Sequence, residues 1–114
     1  MENSLQFVIL EHDHPVLHWD FMLEREGALR TWRLSTEPAS GRKVRAEPIA
    51  DHRIEYLDYE GPVSGNRGSV KRWDKGTYRL EASTGGTLTV SLEGSRLIGT
   101  GVLSDDAFSF SSAQ

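Results

Sequence analysis

Cysteine is absent from this chain of 114 residues, as is any apolar run that approaches a membrane span. The lack of cysteine excludes disulfide bonds and thiolate metal sites. A membrane-spanning helix needs about 20 mostly apolar residues, and the N-terminal stretch MENSLQFVIL lacks the basic segment and apolar core of a signal peptide. From these absences we expect a cytoplasmic protein with no membrane partner.

An excess of positive charge is also absent, since the formal net charge is -4. A domain that grips long stretches of nucleic acid is normally basic. Any phosphate-bearing partner would therefore be met locally, by a metal ion or a few arginines. The basic clusters GRKVR (41–45) and NRGSVKRWDK (66–75) are interpreted as solvated surface.

Size and patterning predict one all-β domain over residues 1–114, with a core large enough to fold as a monomer. Helical periodicity is weak, whereas alternation and turn signals recur at short spacing. Turns are expected at Glu26-Gly27, Asp74-Lys75-Gly76, Gly85-Gly86 and Gly94-Ser95, and the tail 104–114 is expected to be flexible. About eight short antiparallel strands with long loops indicate a barrel or sandwich. The clearest strand segments are LQFVIL, LHWDFMLER, ALRTWRL, GSVKRW, TYRLEAS, TLTVSLE and RLIGTGVL.

The stretch HDHPVLHWDFMLE (12–24) holds three of the four histidines. If it forms a strand, His18 and Asp20 leave the same face, roughly 6–7 Å apart at the backbone. His12 could fold back across the intervening loop, and His14 is interpreted as a bystander. Two imidazoles and one carboxylate leave coordination positions open, as in catalytic Mn, Fe or Zn sites. The alternative is a hydrogen-bonded surface pair without a metal.

A second polar stretch, DHRIEYLDYEG (51–61), places His52 and Tyr56 four residues apart. Each side chain can donate a hydrogen bond to an anionic oxygen. Taken alone, the pair is better interpreted as a loop histidine and a packed tyrosine.

Together these stretches resemble the 3′-phosphoesterase domain of bacterial DNA ligase D, the nick-sealing enzyme of nonhomologous end joining. The family pattern runs roughly H-D-x5-H-[YW]-D-F-R-L-E, then a hairpin with S-W, then E-D-H-P-x-x-Y-x-D-F-E-G, then G-x-V-x-x-W-D-x-G-T. The resemblance covers about residues 6–103. Its matching segments are HDHPVLHWDFMLE, EGALRTW, ADHRIEYLDYEG, RGSVKRWDKGTY and the closing hairpin LTVSLEGSRLIGTGVL.

The resemblance implies a compact β-barrel in which His12, His18 and Asp20 bind Mn, with Zn or another transition metal as the alternative. It implies that His52 and Tyr56 contact the phosphate. The implied reaction removes a 3′-terminal phosphate, or trims a 3′-terminal ribonucleotide, from a DNA or RNA-tipped DNA strand. The healed 3′-OH end would serve a polymerase or ligase, so a separate chain of that kind is a candidate partner.

One departure from the family pattern concerns the residue two positions after the metal aspartate. The family has arginine there and this chain has Met22, which cannot supply a charged, bidentate donor. If Glu26-Gly27 is the hairpin turn, Thr31 lies opposite Met22 and Arg33 opposite Asp20, and opposed residues share a face. We hypothesise that Arg33 delivers the missing guanidinium. The alternative is that Arg33 is a surface arginine or neutralises Asp20.

Two functions of different classes follow. The first is a divalent-metal-dependent 3′-phosphoesterase that heals nucleic-acid ends in DNA repair, which the three retained ligand positions favour. The alternative is a catalytically weakened module that keeps metal and phosphate and binds ends or a repair partner, which Met22 favours. A structural barrel without a ligand would leave the joint presence of five site-type residues unexplained.

Overall fold

The sheet of this protein closes on itself. The computed structural model describes residues 4–113, and each pairing between neighbouring strands is antiparallel, in the order β1-β2-β3-β4-β9-β8-β7-β6, with β6 pairing back to β1. The all-β prediction is therefore confirmed, as a ring of eight strands with β5 added on β6. No helix in residues 4–113 is long and apolar enough to cross a membrane. The strands are β1 (Leu5–His12), β2 (His18–Arg25), β3 (Ala28–Leu34), β4 (Lys43–Arg53), β5 (Gly61–Pro62), β6 (Ser69–Thr84), β7 (Thr87–Gly94), β8 (Ile98–Leu103) and β9 (Ala107–Ser112), and a 3₁₀ helix covers Ile54–Leu57.

The hairpin between β2 and β3 has the predicted turn and register. Glu26 and Gly27 both have positive φ, 54° and 81°, as the tight turn that suits twisted antiparallel strands requires. The register pairs Met22 with Thr31 and Asp20 with Arg33. Directly opposed residues share a sheet face, so all four of these side chains lie on one side of the hairpin.

Alternation along the strands creates two apolar clusters. Phe21 and Leu23 belong to the principal core, to which all eight strands of the ring contribute, whereas Met22 faces the other way. The smaller second cluster lies on this opposite face, where Leu57 of the 3₁₀ helix covers it. Its buried members are Val8, Leu10, Met22, Leu29, Leu57 and Val70.

The predicted turn at Asp74-Lys75-Gly76 is wrong, because β6 runs through it as one strand of 16 residues. The register with β1 shifts between Ile9, which pairs with Asp74, and Leu10, which pairs with Arg72. This bulge bends the strand without ending it. The buried Asp74 carboxylate accepts hydrogen bonds from the backbone N–H groups of Ser95, Arg96 and Leu97, and so anchors the β7–β8 connection.

The prediction of a flexible tail is also wrong for most of residues 104–114. Residues Ala107–Ser112 form β9, which pairs with β8 and with the start of β4. Phe108 and Phe110 are buried, and the Phe108 ring meets the Phe21 ring edge-on at 4.9 Å. The tail therefore closes the ring. The β4 strand was not among the predicted segments, although Val44 and Ala46 alternate there with exposed Lys43, Arg45 and Glu47.

Candidate metal centre

The three predicted metal ligands converge at one end of the β1–β2 pair. His12, the last residue of β1, pairs directly with His18, the first residue of β2, and Asp20 lies two residues further on. One ligand atom from each residue lies within 4.8 Å of the others. Nδ1 of His12 is 3.6 Å from Oδ2 of Asp20, and Nε2 of His18 is 3.2 Å from Oδ1. The convergence follows from strand pairing and from the two-residue repeat of a strand.

The second nitrogen of each imidazole is held by a backbone carbonyl. Nδ1–H of His18 donates to the oxygen of Val16 at 2.8 Å, and Nε2–H of His12 donates to the oxygen of Arg67 at 2.8 Å. A carbonyl only accepts, so these nitrogens carry the protons. Nε2 of His18 lies 3.3 Å from Oδ2 of Asp20 and can donate to it only when the ring is protonated. In the neutral imidazoles the nitrogens that face Asp20 carry lone pairs directed at the carboxylate. Such contacts are unfavourable unless a cation lies among them, and ligating histidines commonly have this arrangement of hydrogen bonds.

The Asp20 carboxylate is almost fully buried, at 2% exposure. Its Oδ1 has no hydrogen-bond partner among residues 4–113, because the 3.2 Å contact with His18 lacks hydrogen-bond geometry. A buried charge without full compensation is costly. The orphaned oxygen and the two imidazole nitrogens form a donor set that fits a divalent transition metal.

The electrostatic environment of His18 shows how strongly it interacts with this carboxylate. Burial lowers the pKa of His18. The hydrogen bond and charge of Asp20, together with the Val16 carbonyl, raise this pKa by more than burial lowers it. The pKa of His18 therefore lies above its ordinary value of 6.5. The positive charge of Arg33 opposes this rise. The interaction with Asp20 therefore favours the protonated form of His18.

A cleft of about 560 Å³ extends from this centre over the second apolar cluster. It brings the predicted phosphate-contacting residues, His52 and Tyr56, to the same space as His12 and Asp20. His18 is buried and contacts His12 and Asp20, and His14, interpreted from the sequence as a bystander, lines the cleft. Arg33, Arg53 and Arg67 also line the cleft. Five predicted site residues thus line one cleft, and the sixth, His18, contacts two of them.

His52 is oriented by a residue that the sequence did not single out for function. The buried hydroxyl of Thr31 donates to the carbonyl of Leu29 at 3.0 Å, so its oxygen accepts from Nδ1–H of His52 at 3.0 Å. The carbonyl of Ala50, at 3.2 Å, accepts from the same N–H group. This leaves Nε2 of His52 available to the cleft. The predicted register, which placed Thr31 opposite Met22, was the one signal of its position.

Arg67 was also overlooked, because its basic stretch was interpreted as solvated surface. Its carbonyl orients His12, and its guanidinium donates from Nε to the carbonyl of Ser64 at 2.7 Å and from Nη2 to the Ser64 hydroxyl at 3.2 Å. Arg67 therefore orients a candidate metal ligand through its backbone and adds positive charge to the cleft through its side chain.

Comparison with known proteins matches residues 10–104 to the DNA ligase D 3′-phosphoesterase domain. The chain is 31% identical over 105 residues to the multifunctional non-homologous end joining protein LigD of Pseudomonas aeruginosa, a match covering 83% of this chain and 12% of that protein. It is 37% identical over 102 residues to LigD of Mycobacterium bovis, covering 82% of this chain and 13% of that protein. The chain belongs to the DNA ligase D 3′-phosphoesterase domain family. It spans only about an eighth of the length of these curated relatives.

Within this 3′-phosphoesterase family member, Met22 and Arg33 occupy neighbouring strands on the cleft side. Met22 is buried at 1% exposure and contributes to the second apolar cluster. Arg33 lies directly opposite Asp20, and its Nε is buried without a hydrogen-bond partner in the described part of the chain. Nor does Arg33 form an ion pair with Asp20 among residues 4–113. A partly buried guanidinium with unused donors thus lies beside the candidate metal centre.

Proposed function

We propose that this protein is a divalent-metal-dependent 3′-phosphoesterase that heals 3′-phosphate or 3′-ribonucleotide ends during end-joining repair of DNA. The observation that carries the proposal is the convergence of His12, Asp20, Arg33, His52 and Tyr56 on one cleft, with His18 beside His12 and Asp20. Membership of the phosphoesterase family, and the end-joining role in the names of the relatives, support the same reaction class. A healed 3′-OH end is a substrate for a polymerase or ligase, so such a chain is a proposed partner.

His12, His18 and Asp20 are the residues that would hold the metal, with Mn as the proposed ion and Zn or another transition metal as the alternative. When bound, a divalent ion neutralises phosphate charge and activates an oxygen nucleophile. The protein supplies the orientation of this donor set. The carbonyls of Val16 and Arg67 hold each imidazole with its ligating nitrogen toward Asp20.

The other cleft residues are assigned to the phosphate and its leaving group. The guanidinium of Arg33 has donors to spare for a phosphate oxygen, and the hydroxyl of Tyr56 is a neutral donor. Thr31 and Ala50 hold Nδ1–H of His52, which leaves Nε2 for the cleft; in its imidazolium form His52 is the proposed donor of the Nε2 proton to the O3′ leaving group. Charge on the departing group would be stabilised by groups already in place.

The test uses purified protein, Mn and a labelled primer-template that ends in a 3′-phosphate or a single 3′-ribonucleotide. We expect conversion to a 3′-OH end by the wild type and its loss in His18→Ala. Arg33→Ala should lower the rate, whereas Arg30→Ala is the matched control. Arg30 lies on the same strand but on the other face, above the ring of Trp32. Equal activity in wild type and His18→Ala would count against the proposal.

One observation favours a second candidate function, a binding module that retains metal and phosphate but turns over slowly or not at all. Apolar Met22 occupies the floor of the cleft at the position where the family pattern has its arginine. If the protein binds Mn and 3′-phosphorylated ends without converting them, this alternative replaces the enzymatic one. Turnover that depends on His18 decides against it.

A further inference from the structure

A second, smaller hollow opens beside the cleft on its outer side. Its volume is about 220 Å³, and three of its lining residues, Arg53, Tyr56 and Ser64, also line the cleft. Glu55, Tyr59 and Pro62 complete it. If the phosphate of a ligand lies in the cleft, the group bonded to that phosphate would therefore lie at this hollow.

Aromatic rings form a continuous series from the cleft into the hollow. The rings of His52 and Tyr56 meet edge-on with centroids 5.5 Å apart, and those of Tyr56 and Tyr59 do so at 5.6 Å. Tyr59, with 37% of its surface exposed, is among the few large apolar or aromatic side chains that face solvent. It is also the last ring of the series, at the end farthest from His52.

The Tyr59 ring is held in place by the backbone that follows it. Its hydroxyl donates a hydrogen bond to the carbonyl of Pro62. Gly61 allows the close approach, because its φ is +135° and a Cβ at this position would lie 3.3 Å from the Tyr59 hydroxyl. An exposed aromatic ring whose orientation is fixed in advance loses little conformational entropy when a planar ligand stacks on it.

We infer that this hollow is a nucleoside subsite, in which the base next to the 3′-terminal phosphate stacks on Tyr59. The inference rests on the proposed function, because it takes the phosphate position from that proposal. Base stacking on aromatic side chains tolerates every base, as an end-healing enzyme requires. Arg53 provides a positive charge for the phosphodiester on the 5′ side of this nucleoside. The Glu55 carboxylate can accept a hydrogen bond from a base amino group or a sugar hydroxyl.

The test measures binding of three ligands to the wild type and to Tyr59 variants in the presence of Mn, by stopped-flow mixing, so that binding is recorded before a 3′-phosphate can be removed. The ligands are inorganic phosphate and a DNA trinucleotide that ends in either a 3′-phosphate or a 3′-OH, with 2-aminopurine as the terminal base. Tyr59→Ala should weaken binding of both trinucleotides about tenfold and abolish the quenching of 2-aminopurine. Its affinity for inorganic phosphate should be unchanged.

Two controls separate stacking from folding. Tyr59→Phe keeps the ring but removes the hydrogen bond to Pro62 that orients it, so it should bind both trinucleotides more tightly than Tyr59→Ala and no more tightly than the wild type. Ile98→Ala removes another exposed apolar side chain, on β8 and outside both the cleft and the hollow, and should change nothing. Equal affinities in wild type and Tyr59→Ala, or a wild type that binds neither trinucleotide, would overturn the subsite.

The outcomes also distinguish the subsite from the proposed function. If Tyr59→Ala weakens both trinucleotides but the 3′-phosphate adds no affinity over the 3′-OH, the subsite holds and the phosphate site does not. If the 3′-phosphate adds affinity and Tyr59→Ala has no effect, the phosphate site holds and the subsite is wrong.

Discussion

The Nε2 atom of His12 lies 2.8 Å from the carbonyl oxygen of Arg67, a residue 55 positions further along the chain. This hydrogen bond turns Nδ1 of His12 toward Asp20. The loop that carries Arg67 is fixed in turn by Asp13, whose carboxylate accepts a hydrogen bond from the backbone of Ser69 at 2.8 Å. The orientation of a candidate metal ligand therefore depends on residues that offer no atom to the metal.

Replacement of Gly68 tests this dependence. Gly68 has φ +76°, and a Cβ at this position would overlap the Asp13 carboxylate and lie 2.6 Å from Cβ of His14. Gly68→Ala should displace the loop and weaken Mn binding by about tenfold or more, the usual effect of losing a group that orients a ligand. The affinity is measured by titration with Mn, followed by the electron paramagnetic resonance signal of the free ion.

Gly65→Ala is the matched control for this experiment. Gly65 lies in the same loop with φ +75°, so alanine causes similar backbone strain there, but its Cβ would only touch Nε of Arg67 at 3.4 Å. Mn affinity should stay near the wild-type value. Equal losses in the two variants would show that backbone strain, and not the contact with Asp13, is responsible.

The raised pKa of His18 predicts how metal binding depends on pH. Because the pKa of His18 is above 6.5 in the folded protein, its protonation stabilises the metal-free state below that pH, and this contribution is lost as pH rises through the raised pKa. Mn would compete with the proton for Nε2. The increase in Tm on adding Mn should therefore grow between about pH 6 and pH 8. Thermal unfolding with and without Mn at several pH values is the measurement, and a pH-independent increase would contradict the prediction.

The β2–β3 hairpin was predictable because its geometry is set by local sequence. Alternation assigns the faces, and the turn at Glu26-Gly27 sets the register that places Arg33 opposite Asp20. The contacts that orient the site were not predictable, because they join residues distant in sequence, such as Thr31 with His52. Their partners are determined by how β4 and the following loop pack, which no local pattern specifies.

The errors in the predicted fold also have a local cause. Asp74-Lys75-Gly76 has the composition of a turn, but the Asp74 carboxylate instead accepts hydrogen bonds from the distant backbone of Ser95–Leu97. The tail looks polar because serine alternates with Phe108 and Phe110. Small polar residues on the outward face of a closing strand are indistinguishable by composition from those of a flexible terminus.

Phe108 tests whether β9 is part of the cooperative fold. Its ring is 1% exposed and packs against Phe21 inside the ring of strands. Phe108→Ala should lower the free energy of unfolding by about 3–5 kcal/mol, as measured by urea denaturation. Ser109→Ala, the adjacent residue on the other face of the strand, should have little effect. A cost below about 1 kcal/mol for Phe108→Ala would mean that the tail contributes little to stability.

Thr31 is predicted to act as a positioning residue for His52. Thr31→Val keeps the shape but removes the oxygen that accepts from Nδ1–H of His52. The expected cost in stability is about 1 kcal/mol, together with a lower phosphoesterase rate and a shifted pH–rate profile. Thr31→Ser should restore both the rate and the profile, since it keeps the hydroxyl. An unchanged profile in Thr31→Val would limit Thr31 to a structural role.

A double-mutant cycle tests whether Arg33 replaces the arginine that the family pattern has at position 22. Arg33→Ala should lower kcat by about 10²–10³-fold if its guanidinium stabilises the phosphate. Met22→Arg introduces a guanidinium two residues from Asp20 on the same face, and should restore much of the activity of Arg33→Ala while adding little to the wild type. Met22 is buried, so the larger side chain should destabilise the fold by about 1–3 kcal/mol, and rates are compared well below the unfolding transition.

The interpretation depends on the background in which Met22→Arg acts. If Arg33 already stabilises the phosphate charge, a second guanidinium at position 22 has little charge left to stabilise. Met22→Arg should therefore raise kcat much more in Arg33→Ala than in the wild type. If Met22→Arg raises kcat by the same factor with and without Arg33, the two positions act independently and Arg33 does not replace the missing arginine. Arg33 would then act on the pKa of His18, and its removal should raise that pKa, because its charge now opposes the effect of Asp20.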